Sequence, residues 1–250
     1  IAEKLNENKW YRKADGSLIT PYQIYGRAKG YPELFYCEGS TISLKGSTTR
    51  KIAFERTSKQ HVRISQNTVK DSVLVEKMLM NKQNFKSAKD VDGFVPQASG
   101  LYCIRIKNVH LLPEPFGTIL LERGHDILYI GIASENLYNR FLNQELRAKG
   151  HGTFFRSMGA VLGYKPPKGS LIEKRNKKNY KFSKTDELKI IGWINENLMV
   201  NWVESAGDLD SLETSLIVKY LPLLNLSKNP AALQILSYLR KECVEIANRN

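Results

Sequence analysis

At 250 residues the chain is long enough for one large domain or two modest ones, each with a real hydrophobic core. Its apolar share, 42%, and charged share, 25%, exclude a disordered chain, a collagen-like repeat and a coiled-coil rod, and no apolar run nears the roughly 20 residues of a membrane span. The unusual quantity is charge: 38 Lys and Arg against 25 Asp and Glu leave +13, which points to a polyanion, either nucleic acid or an anionic membrane surface.

The first part of the chain reads as β-rich with one helix. Thr41–Lys45, Lys51–Arg56 and His61–Ser65 are short β-favouring runs separated by turn formers. Val69, Val73, Leu74 and Met78 recur at helical spacing and predict a helix over Asn67–Asn81. Upstream, Tyr22, Tyr25, Arg27, Lys29, Tyr31, Phe35 and Tyr36 interleave aromatics with cations; such residues either stack on bases or pack in a core. The turn-rich stretch Lys89–Gly100 reads as a boundary, giving an N-terminal domain over 1–98 for substrate recognition or a partner, and a second domain over 99–250.

In the second domain Leu101–Ile106 and Ile127–Ile132 are apolar and β-prone. Asn136–Lys149 is a helix with Leu137, Phe141, Leu142 and Leu146 on one face and a stop at Gly150. Thr185–Asn197 follows as a helix, Met199–Val203 as a strand, Asp210–Tyr220 as a helix ending before Pro222, and Pro230–Asn248 as a terminal helix. The order predicts an α+β fold, a small antiparallel sheet flanked by helices. The sequence holds no phosphate-binding glycine loop of the P-loop or dinucleotide type and no nucleophile elbow.

Cys37, Cys103 and Cys243 are odd in number and far apart, with no zinc spacing, and read as reduced cysteines of a cytoplasmic protein. The chain opens on Ile1 without an initiator Met or an apolar signal core, as a processed or truncated product would.

Four polar positions fall where chemistry is placed, at strand ends or helix rims. Tyr102 lies in Gly100-Leu101-Tyr102, Tyr129 in Tyr129-Ile130-Gly131, Arg140 in the helix that follows, and Glu213 at the rim of an apolar stripe made by Leu212, Leu216 and Ile217. Each alone is ordinary: sheet tyrosines pack, and helix Arg and Glu are solvated. Together, and with Pro222 and Asn225 behind Glu213, they resemble the GIY-YIG nuclease family over residues 100–229, including its restriction-type and excision-repair incision members.

The resemblance implies a divalent-metal-dependent endonuclease that hydrolyses DNA phosphodiesters to 5′-phosphate and 3′-hydroxyl ends. It implies that Tyr102 and Tyr129 line the scissile phosphate, with Tyr102 taking a proton from the attacking water. A phenol of pKa near 10 is a poor base, so Arg140 and the metal are expected to lower it. Arg140 would stabilise phosphoryl charge, Glu213 would be the sole protein ligand of Mg²⁺ or Mn²⁺, and Asn225 would fix the site's geometry. His151, between two glycines, is a further catalytic candidate and equally a loop histidine. Ile132 stands where some relatives carry a lysine.

Between Arg140 and Glu213 lies a basic insertion over residues 152–184. Arg156, Lys165, Lys168, Lys174, Arg175, Lys177 and Lys178 are its candidate nucleic-acid contacts, and the tract 165–184 holds a single acid, Glu173. A restriction or defence role on DNA is the expectation; RNA cleavage and a catalytically inactive binding module are the alternatives. A membrane role is not expected, because no basic amphipathic helix with a bulky apolar face is evident.

Overall fold

The structure, a computed structural model, describes residues 72–250 and, before them, positions 24, 28, 31, 34–38 and 41–44. The expected strands Lys51–Arg56 and His61–Ser65 and most of the aromatic-basic stretch lie outside the described residues. The chain divides into two compact units, Ile1–Thr57 and Ser58–Asn250. In the first, β1 (Phe35–Glu38) pairs antiparallel with β2 (Thr41–Leu44).

The second unit is built on a four-stranded antiparallel sheet of β3 (Lys86–Ser87), β4 (Gly100–Ile106), β5 (Ile127–Ala133) and β6 (Leu198–Glu204), in the order β3-β6-β4-β5. β4 is buried along its whole length because helices cover both faces of the sheet. Its alternate side chains serve two cores. Tyr102, Ile104 and Ile106 pack with Phe141, Phe154, Ile190 and Leu236, whereas Leu101 and Cys103 pack with Leu79, Leu216 and Ile217. This is the small antiparallel sheet flanked by helices that the sequence predicts.

The helices are α1 (residues 72–80), α2 (Phe116–Glu122), α3 (Tyr138–Leu146), α4 (Thr153–Val161), α5 (Lys184–Asn197), α6 (Leu209–Tyr220) and α7 (Gln234–Asn248). Two of them escaped the sequence reading. α2 lies inside the β4–β5 connection. α4 is buried at every position after Thr153, so it lacks the polar face that reveals a helix in sequence. α7 begins at Gln234 and not at Pro230, because Asn229 closes a turn by accepting from the Ala231 and Ala232 amides.

The stretch 89–100 is integrated into the second unit. Val91 and Val95 are core residues, β3 pairs with β6, and the Pro96 and Ala98 carbonyls accept from the Tyr138 and Leu137 amides at the start of α3. The two compact units divide at 57/58, so the described residues 72–98 lie in the same unit as the sheet.

Candidate active site

β4 and β5 carry the two tyrosines. In their register Tyr102 faces Gly131 and Ile104 faces Tyr129, which sets both phenols on one face of the sheet along a diagonal. Their rings stack with centroids 6.2 Å apart and planes 22° apart. Gly131 is required for this packing: a Cβ there would stand 2.5 Å from the Tyr102 hydroxyl oxygen.

α3 is wound as a π-helix, whose i→i+5 bonding stacks residues five apart. Arg140 and Glu145 accordingly meet, with the guanidinium 3.1 Å from the carboxylate. Arg140 also donates to Gln144 Oε1 at 3.0 Å. Burial opposes its charge, but the carboxylate of Glu145 and the neighbouring phenols outweigh that and hold its pKa above the usual value.

Glu145 is the residue that the sequence reading missed. It is fully buried, accepts from the Tyr102 hydroxyl at 3.4 Å and from the Phe155 amide at 3.2 Å, and so caps the N-terminal turn of α4. Gly152 makes room for it, since a Cβ would fall 1.9 Å from its Oε2. The signal was present: Glu145 is four residues after Phe141, a carboxylate on the apolar face of its helix.

Glu213 projects from α6 into the same cleft. Tyr102, Tyr129, Ile132, Glu135, Asn139, Arg140, Gln144 and Glu213 are among the residues that line it, around a volume of about 520 Å³. Tyr102 forms its floor and is itself fully buried. Burial pushes the Tyr102 phenol well above its ordinary range, and Glu145 and Tyr129 push it further against the opposing pull of Arg140. Burial raises Tyr129 as well. Arg140 does pull the phenol downward, as expected, but burial together with Glu145 and Tyr129 outweighs it.

Lys228 Nζ lies 2.7 Å from Glu213 Oε2, so this carboxylate already accommodates a cation at the cleft edge. Among the described residues no three His, Cys, Asp or Glu side chains cluster as ligands. One carboxylate donor fits magnesium, which retains most of its waters.

Asn225 does not line the cleft. It is buried and acts on the free edge of β5, accepting from the Ile130 amide at 3.0 Å and donating to the Ile130 carbonyl at 2.8 Å. The Leu223 and Leu224 amides bond the Ile127 and Leu128 carbonyls just before it. The segment thus fastens β5 between Tyr129 and Gly131.

His151 is likewise outside the cleft. Its ring is buried against Phe155 and Phe182, and Nε2 accepts from the Phe182 amide at 3.3 Å. Burial lowers its pKa to about 4, despite Glu187 3.4 Å away, so the ring is neutral at ordinary pH. Among the nucleic-acid candidates, Arg156 is buried and donates to the His151 carbonyl at 2.6 Å, which removes it from the surface. Lys165 pairs with Glu242, and Lys177 folds back on the Leu171 and Ile172 carbonyls. Lys168, Lys174, Arg175 and Lys178 are exposed. The tract is held along α7, where the Gly169 and Leu171 amides bond the Ile246 and Ala247 carbonyls, and none of its residues lines the cleft.

The GIY-YIG catalytic domain family matches residues 100–242, the span that carries every cleft-lining side chain. The chain belongs to the GIY-YIG nuclease family. It is an endonuclease acting on phosphodiester bonds, and its substrate is a nucleic acid. No curated protein and no solved structure matches it. Among the described residues, no helix of this GIY-YIG protein is long and apolar enough to cross a membrane.

Proposed function

We propose that the chain is a divalent-metal-dependent endonuclease that cuts DNA to 5′-phosphate and 3′-hydroxyl ends, in a restriction or defence role. The observation that carries this reading is the convergence of Tyr102, Tyr129, Arg140 and Glu213 on one cleft. Their presence together argues against an inactive binding module, which needs neither the ion pair of half-buried Arg140 nor a carboxylate at the rim.

Arg140 sits where its charge stabilises phosphoryl oxygens as they become more negative. Glu213 would hold Mg²⁺ or Mn²⁺, which when bound supplies Lewis-acid stabilisation to the leaving 3′ oxygen. Tyr102 and Tyr129 orient the phosphate against the sheet, and Asn225 keeps β5 in register. The N-terminal unit and the exposed cations of the 165–184 tract select and hold the substrate.

The test is incubation of the purified chain with duplex DNA, single-stranded DNA and RNA, each with Mg²⁺ or with EDTA, followed by end-mapping. Metal-dependent cutting of DNA that Glu213→Ala abolishes, with binding retained, is the expected result. Cutting confined to RNA overturns the substrate, and cutting by Glu213→Ala overturns the metal site.

A further inference from the structure

Tyr102 poses a chemical difficulty that its surroundings resolve. Its phenol is fully buried and held well above its ordinary pKa, so a standing phenolate is a poor choice of base. Yet its hydroxyl donates toward Glu145, a carboxylate that no family motif quoted above includes and that is sealed from solvent. We propose that Glu145 is the terminal proton acceptor of the reaction, receiving the hydroxyl proton of Tyr102 while Tyr102 takes one from the attacking water. The inference rests on the nuclease reading above and deepens it.

As the water oxygen bonds to phosphorus, its proton passes to Tyr102 Oη and the original Tyr102 proton passes to Glu145 Oε1. The bond from phosphorus to the 3′ oxygen breaks, and that oxygen takes a proton from solvent. Glu145 then returns its proton through Tyr102 to water. No phenolate is formed at any stage. Protonation of Glu145 also dissolves its ion pair with Arg140, which leaves the guanidinium charge to the phosphoryl group as that group needs it.

The groups facing Glu145 suit this role. Tyr102 approaches from β4, Arg140 from its own helix, and the Phe154 and Phe155 amides with the Arg156 charge from α4; Tyr129 lies nearby on β5. Burial raises the carboxyl above its usual range, and Arg140 and the two amides only partly offset it. Such a group binds a proton more readily than an exposed carboxylate does. A purely structural Glu145 would cap α4 and nothing more.

The decisive measurement is single-turnover cleavage by the wild-type enzyme in mixtures of H₂O and D₂O. Two protons moving together give a bowed dependence on deuterium fraction, whereas a straight line overturns the relay. Glu145→Gln keeps the shape and the acceptor for Phe155; it should lose about 100-fold or more in rate, the ordinary worth of a positioned acid–base group. Its substrate affinity should stay within about threefold of wild type, and the acid limb of its pH–rate profile should vanish. Tyr102→Phe combined with Glu145→Gln should be no slower than the slower single variant, since both remove one path. Multiplying losses, or a Glu145→Gln enzyme with the wild-type profile, overturn the proposal while the nuclease reading stands. A wild-type chain that cleaves nothing overturns both.

Discussion

Lys228 holds the Glu213 carboxylate at 2.7 Å and Asp210 at 2.5 Å. It does so from a left-handed backbone position, φ 62°, in the same loop that fastens β5 through Asn225. Partial burial works against its charge, but the two carboxylates outweigh that and raise its pKa, so the ammonium persists at neutral pH. A cation bound to Glu213 must therefore displace or share with a resident charge. Lys228→Met should lower the Mg²⁺ concentration needed for half-maximal cleavage by about five- to tenfold, the scale of one partly screened charge at close range. Metal titrations of cleavage for the two proteins decide it. An unchanged or higher requirement would place Lys228 on the substrate and not on the metal ligand.

Gly131 packs directly against the Tyr102 phenol. Any side chain at 131 must drive the phenol away from Glu145 or push β5 off β4. Gly131→Ala should cost about 1–3 kcal/mol of stability, the range for overpacking a buried site. It should cost more in rate than stability explains, about 100-fold, because the phenol is displaced by about an ångström. Urea unfolding and single-turnover cleavage measured on one preparation separate the two effects.

Asn225 replaces a strand. Its amide gives Ile130 both bonds that a neighbouring backbone would supply, at the open edge of the sheet. Asn225→Ala leaves a buried N–H and C=O without partners and should cost about 2–4 kcal/mol in chemical denaturation, one desolvation penalty for each group. Cleavage should fall with it, since Tyr129 and Gly131 flank the unpinned residue. A variant as stable as wild type would mean that water or the Leu224 segment takes over both bonds.

Much of this arrangement was legible in sequence because periodicity and motif spacing report local facts. The β-prone runs Leu101–Ile106 and Ile127–Ile132 coincide with β4 and β5 to within a residue, and the motif tyrosines, arginine and glutamate meet in one cleft. What stayed hidden depends on tertiary burial. Glu145 is a charged letter that reads as a solvated helix face until Gly152, Phe155 and Tyr102 close around it. α4 is buried on every side after Thr153, its Arg156 and Ser157 included, so burial there does not follow residue polarity. The segment 89–100 is rich in Asp, Gly and Pro like a linker, yet its carbonyls start the helix that carries Arg140. The glycines beside His151 fit a catalytic residue and a loop histidine equally in sequence; in the fold they serve the buried Glu145 and a sharp turn.

His151 makes a pH signature of stability, separate from catalysis. Its folded pKa, about 4, lies below the value near 6.5 of the unfolded chain. Between these values the unfolded chain binds more protons, so stability is fully present above about pH 6.5 and is lost as pH falls toward 4. His151→Asn tolerates the left-handed backbone, φ 56°, and removes the titration. Thermal unfolding from pH 7 to pH 4 should therefore decline more steeply for wild type than for the variant. Parallel declines would assign the acid sensitivity to other groups.

The exposed cations of the basic tract divide from those already engaged, and salt dependence can tell them apart. Lys174, Arg175 and Lys178 are exposed, whereas Lys165 is neutralised by Glu242 and Lys177 is turned onto backbone carbonyls. If the first three track a nucleic-acid backbone, replacing them all with Gln should reduce the slope of log affinity against log salt by about 2–3, close to one unit for each lost phosphate contact. Replacing Lys165 and Lys177 should barely move that slope and should instead loosen the segment from α7, seen as a lower unfolding temperature. The contrast matters because none of these side chains lines the cleft. A large change in slope with an unaltered single-turnover rate at saturating DNA would make the tract a binding surface, one that adds affinity without touching the reacting phosphate. A slope that does not move would leave the tract as a solvated cover over α7.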